Sequence, residues 1–174
     1  MSTDVGITVI EDQFRTALAT VITDWLIRWP NENWPVNTAL SPDNAPLDAF
    51  GNPAPFVEAE VIAGLDQSSV APPGMRQSTR IGLFRVYFIV PQGSGRADVN
   101  NRVDDLALAL KRATLFIDET TGRRLTTMDP RIDDNVAERL VQSYVRTDAA
   151  VPAPWHGARY VRMLSVPWFW DYYA

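Results

Sequence analysis

Hydrophobic and polar positions recur along this chain with two different periods, and the switches between them give the order of its elements. From Thr8 to Arg28, Ile10, Phe14, Leu18, Val21 and Trp25 return at helical spacing, with Glu11, Asp12, Arg15 and Asp24 between them. Acidic residues in the first turn and Arg28 in the last suit the helix dipole, and Pro30 stops the run, so a helix is expected here. Asn31 to Pro55 carries Pro35, Pro42, Pro46, Pro53 and Pro55 among Asn and Asp residues and reads as a long loop, pinned to the body by Trp34 and Phe50. At Phe56 the period drops to two. Val57, Ala59, Val61, Ala63 and Leu65 alternate with Glu58 and Glu60, which predicts a half-buried strand over Phe56–Leu65.

Asp66 to Thr79 is polar around Pro72-Pro73-Gly74 and is expected to be an exposed loop. Arg80 to Val90 predicts a second strand, with Phe84, Val86, Phe88 and Val90 on one face and Arg85 and Tyr87 on the other. The two strands should form an antiparallel hairpin with a long tip. Gln92-Gly93-Ser94-Gly95 then makes a turn, and Asp98 is expected to cap a second helix running to about Ile117, with Val103, Leu106, Leu110 and Ala113 buried. Gly122–Met128 reads as a short strand, Val136–Arg146 leans toward strand, and Arg159–Phe169 reads as a closing strand. The order predicts one α+β domain, a mostly antiparallel sheet packed against two amphipathic helices.

Composition narrows the possible functions. The 174 residues are 46% hydrophobic and 21% charged, ordinary for a single globular domain with a full core. The absence of cysteine excludes disulfides, thiol catalysis and cysteine-based zinc sites. No apolar run approaches the roughly 20 residues that span a bilayer. Met1 to Val9 does not look like a signal peptide, so the expectation is a protein that stays in the cell that makes it. A net charge of −5 makes binding to a phosphate backbone a poor fit. Positive charge is almost all arginine, with Lys111 the one lysine; this fits either interfacial pairing or a GC-rich coding genome.

Three groups of residues could carry chemistry, and each has a plainer reading. The strand, glycine turn and helix over Val90–Val103 could hold an anion on free helix N–H groups. It lacks a dinucleotide fingerprint or a P-loop Lys-Ser/Thr, and Asp98 puts a negative charge where phosphate would sit, so a plain connector is favoured. The acidic pairs Asp104/Asp105, Asp118/Glu119 and Asp133/Asp134, with Asp129, could gather a cation in a metal-dependent phosphoesterase. Neighbours on a helix point apart, and the spacing fails the calcium-loop pattern, so a solvated face is favoured. His156 is the only histidine and no nucleophile elbow accompanies it. The last stretch, Trp168-Phe169-Trp170-Asp171-Tyr172-Tyr173, is aromatic enough either to plug the core or to form an interface.

The order of these pieces resembles the tail-terminator family of long-tailed bacteriophages, typified by the lambda-like tail terminator and related tail-completion proteins. The pieces are the N-terminal amphipathic helix, the loop with Trp34-Pro35, the strand Phe56–Leu65, the run Gly82-x-Phe84-x-Val86-x-Phe88-x-Val90-Pro91, and the Gly-Ser-Gly turn into a helix. The last are Gly157-Ala158-Arg159-Tyr160-Val161-Arg162 and Ser165-Val166-Pro167-Trp168. The resemblance implies one tail-terminator-like domain over 1–174 and a structural virion protein, not an enzyme, with no catalytic residue, cofactor or metal. It implies a homo-hexameric ring that caps the tail tube, stops its polymerisation and offers a joining surface to the head–tail connector. Genomic DNA would pass through the lumen unbound, and the protein would reside in the virion at the head–tail junction after assembly in the host cytoplasm. A neck or adaptor protein is the neighbouring alternative, and a phosphoesterase built on Asp129, Asp133 and Asp134 is the alternative of another class. The expected interface residues are Gln67, Met75, Arg76, Arg80, Arg85, Trp168, Trp170, Tyr172 and Tyr173.

Overall fold

The computed structural model describes residues 4–30, 32–42, 44–69, 77–91, 93–133 and 159–173. Helix α1 spans Asp4–Val21 and buries Ile10, Phe14 and Leu18, the i, i+4 stripe read from the sequence. It stops seven residues before Arg28, because Leu26–Arg28 forms a short strand, β1, instead. Leu26 packs into one hydrophobic cluster and Ile27 into another, which adjacent residues achieve on the two faces of a strand and not on one stripe of a helix.

The following strands are β2 (Phe56–Ser69) and β3 (Gln77–Pro91), then helix α2 (Ala97–Ala109), β4 (Thr114–Asp118), β5 (Arg123–Thr127), β6 (Arg131–Asp133) and β7 (Arg159–Tyr173). The sheet runs β1-β2-β3-β7-β5-β4, with β6 also beside β7. Among the described strands only β1 on β2 is parallel; the other pairings are antiparallel. The chain is therefore α+β, as the pattern predicts. The hairpin is longer than expected. Gln67↔Thr79 and Ser69↔Gln77 are paired, so the ends of the expected Asp66–Thr79 loop belong to the strands.

α2 also ends early, at Ala109 rather than near Ile117. Arg112 adopts φ 50°, a left-handed turn that a helix cannot contain, and the β-branched and aromatic run Thr114–Asp118 pairs with β5. Asp98 lies inside the first turn and does not cap it; its carboxylate accepts from Arg102 one turn later. Val136–Arg146 lies outside the described residues.

Both helices cover one face of the sheet. Phe14 stacks on Phe84 with centroids 4.3 Å apart, and Val99, Val103, Leu106 and Leu110 close the same core over Val86, Phe88, Leu164 and Val166. The proline-rich loop covers part of the other face. There Ala45, Phe56, Ile89 and Val161 form a second cluster, and Trp34 meets Phe56 edge-on at 5.3 Å. Trp34 Nε1 donates to the Asn44 carbonyl, and two isolated bridges, Leu40↔Pro46 and Leu47↔Pro53, hold the loop in shape. Phe50 does not pin it: the side chain is 90% exposed, at a turn organised by the Asp48 carboxylate.

Candidate functional site

Strand alternation decides what the aromatic terminus does. Trp168 and Trp170 point to the helix face and are 0% and 4% exposed. They therefore belong to this chain's own core, which corrects their assignment as interface residues. A fifteen-residue strand with one face under two helices must bury every second side chain, and 168 and 170 fall on that face. Trp168 lies over Gly82, directly across on β3, where a Cβ would overlap the indole. Tyr172 packs partly buried against the same core, while Tyr173 pairs through its backbone with Gln77.

The rest of the expected interface set is dispersed. Arg80 is half-buried opposite Trp170 on the helix face. Arg85 is on the opposite face, 3.6 Å from the Glu60 carboxylate, to which the Tyr87 hydroxyl also donates. Burial pushes the Tyr87 phenol upward. Gln67 pairs with Thr79 along the hairpin, and Met75 and Arg76 lie outside the described residues. Sequence reasoning thus grouped residues that the sheet divides between its two faces.

The glycine turn before α2 has an internal use for its charges. Gly93 and Gly95 take φ of 91° and 82°, which reverses the chain. Arg102 donates to Asp98 and to Asp24 and lies 4.4 Å over the Trp25 ring, tying α2 to the end of α1. These hydrogen bonds hold the Asp24 carboxyl below the usual carboxylate range.

The acidic residues are likewise engaged singly. Arg112 grips Asp129 through Nε and Nη2 and holds its carboxyl down. Asp118 accepts from the Thr121 hydroxyl and from the Thr120 and Thr121 amides, closing the β4–β5 turn. Among the described residues, no three His, Cys, Asp or Glu side chains converge as a metal would require. Asp134 and His156 lie outside the described residues.

What the sequence did not reveal is the two ends of the sheet. β1 pairs with β2 only at Phe56–Glu58, so beyond Glu58 that edge of β2 has no partner among the described strands. β4 is the last strand at the other end. Each edge carries an exposed isoleucine, Ile62 at 36% and Ile117 at 58%. Exposed Arg123 and Arg124 stand beside β4 on β5. The one signal was the β-branched and aromatic content of Thr114–Ile117; the polar run Asp66–Ser69 gave none for the extension of β2.

No protein-family model matches the sequence, and no curated protein matches it. One solved structure aligns over 94% of this chain and 97% of its own, at 16% identity and a TM-score of 0.43, too loose a likeness to assign a relationship.

Proposed function

We propose that this chain is a tail-terminator protein of a long-tailed bacteriophage, a structural ring subunit rather than an enzyme. The observation that carries the reading is the placement of its two most distinctive stretches. Gly82–Pro91 and Arg159–Trp168 are neighbouring strands in register from Gly82↔Trp168 to Pro91↔Arg159, with the tryptophan seated on the glycine. The pieces that carry the resemblance therefore depend on one another physically.

The net charge supports the same reading. At −5, a ring of such subunits repels the DNA backbone and lets a genome pass without sticking. The subunit caps the tail tube as a homo-hexamer, stops its growth and presents its free face to the head–tail connector. Self, tube protein and connector are its partners, and the head–tail junction of the virion is its place.

Negative-stain electron microscopy of the purified protein mixed with tail tubes from the same virus tests this. Rings on one end of each tube are expected. Bare tube ends, with the protein on isolated connectors instead, would replace this reading with a neck protein.

A further inference from the structure

A cyclic ring needs two different patches on each copy, each fitting the other. The sheet offers two such patches at its opposite ends. At one end, β2 has no strand partner on its outer edge among the described residues from Ala59 to the irregularity between Ala63 and Asp66. At the other, β4 offers Thr114–Asp118, a segment of the same length, whose register is regular from Phe116 to Asp118 and shifts between Thr114 and Phe116. Unpaired strand edges present rows of N–H and C=O groups that template another strand, and proteins that stay monomeric usually block them with lysine, proline or a covering loop. Neither segment contains lysine or proline.

The side chains agree with the backbone. Ile62 and Ile117 both lie on the face away from the helices: Ile62 is opposite Leu83, which faces Pro167, and Ile117 is opposite Arg124, which faces Asp171. Joining the edges would put two exposed isoleucines side by side. It would also bring Glu60, near one edge, toward Arg124, near the other, on that same face.

With the ring axis taken along the strands, the direction follows from topology. β2, β7 and β4 run one way, and β3 and β5 run the other, because each neighbouring pair in that path is antiparallel. Rotation about an axis along the strands leaves strand direction unchanged. A neighbour's β4 therefore meets β2 in parallel, as β1 already does further along the same edge.

We infer that copies of this chain join edge to edge, the Thr114–Asp118 strand of one adding in parallel to the Ala59–Ala63 edge of the next. The occupant of each edge is a second copy of this chain. The parallel sense rests on the ring proposed above; the two edges do not.

The chain has no cysteine, so Ile62→Cys and Ile117→Cys introduce its only thiols. Neighbouring strands bring facing Cβ atoms within about 5 Å, inside the reach of a short bis-maleimide. The two single variants, mixed at high protein concentration, should give a 62–117 dimer, and each alone should give none. The double variant should give a ladder ending in a closed ring. Products joining like positions, or monomer alone, overturn the inference.

Ile62→Lys provides a second arm, since its site is exposed and the fold should survive. It should weaken self-association in sedimentation about tenfold or more, at a melting temperature unchanged in dilute, monomeric solution; unchanged association also overturns the inference. Scoring tube capping on the same preparations separates the two readings. Cross-linked rings that ignore tail tubes sink the terminator and leave the edge pairing standing, and capped tubes without 62–117 products do the reverse.

Discussion

Gly82 and Trp168 face each other across β3 and β7, and the indole fills the space that a Cβ on Gly82 would need. The Ile62 carbonyl crowds the same point, so the clash would be with backbone as well as with a ring. Gly82→Ala should therefore cost roughly 3 kcal/mol, the upper range for overpacking a core. Trp168→Ala should cost about 3–5 kcal/mol by leaving a cavity. Urea denaturation checks both, as a lower midpoint at unchanged slope; a Gly82→Ala midpoint equal to wild type would mean that the indole and the Ile62 carbonyl both give way at no cost.

Thr127 is the one buried polar side chain among the described core residues. Its hydroxyl donates to the Leu110 carbonyl and accepts from the Ala113 amide, fastening the end of α2 to β5. Thr127→Val keeps the shape and leaves both backbone groups without that partner. A loss of roughly 1–3 kcal/mol is expected. Thermal melting reads it, and Thr127→Ser, which retains the hydroxyl, should recover most of the loss.

Arg102 binds the ionised form of Asp24, so this carboxyl holds its proton less tightly when folded than when unfolded. Stability from that contact is complete above the unfolded value, about 4. It is lost as pH falls through the lower folded value. In low salt, the difference in urea midpoint between wild type and Asp24→Asn should shrink as pH drops from 7 to 3. A constant difference across that range would show that the ion pair contributes nothing. The Asp24 side chain is 59% exposed, so added salt should shrink the difference too.

Trp34 and Phe50 lie in the same loop and should respond in opposite ways. Trp34 meets Phe56 and donates to Asn44, whereas Phe50 points into solvent. Trp34→Ala should lower stability by about 1–2 kcal/mol and expose the loop to protease, and Phe50→Ala should stay within about 0.5 kcal/mol of wild type. Limited proteolysis with mass mapping follows the loop directly; equal cleavage of the two variants contradicts the assignment.

The strongly periodic elements were legible from local pattern. Phe84, Val86, Phe88 and Val90 alternate onto the core as expected, and so do Ile10, Phe14 and Leu18 on α1. What escaped was decided by distant partners. Leu26–Arg28 continues a helical spacing by coincidence, and its strand exists only because Phe56–Glu58 lies alongside it. Thr114–Asp118 follows a good helical stripe without a break, and a single left-handed residue, Arg112, ends the helix before it. The aromatic terminus was ambiguous because core and interface both want tryptophan; only knowing which face β7 turns to the helices resolves it. The candidate site was the least legible part, since an open edge is defined by which strand is missing beside it.

β7 follows the other six described strands in the chain, yet it sits in the middle of the sheet, between β3 on one side and β5 and β6 on the other. During synthesis β1–β3 can assemble early, but the two halves of the sheet meet only after Tyr173 has left the ribosome. Until then the long apolar edge of β3 lies open, and the nascent chain is at its most prone to aggregation.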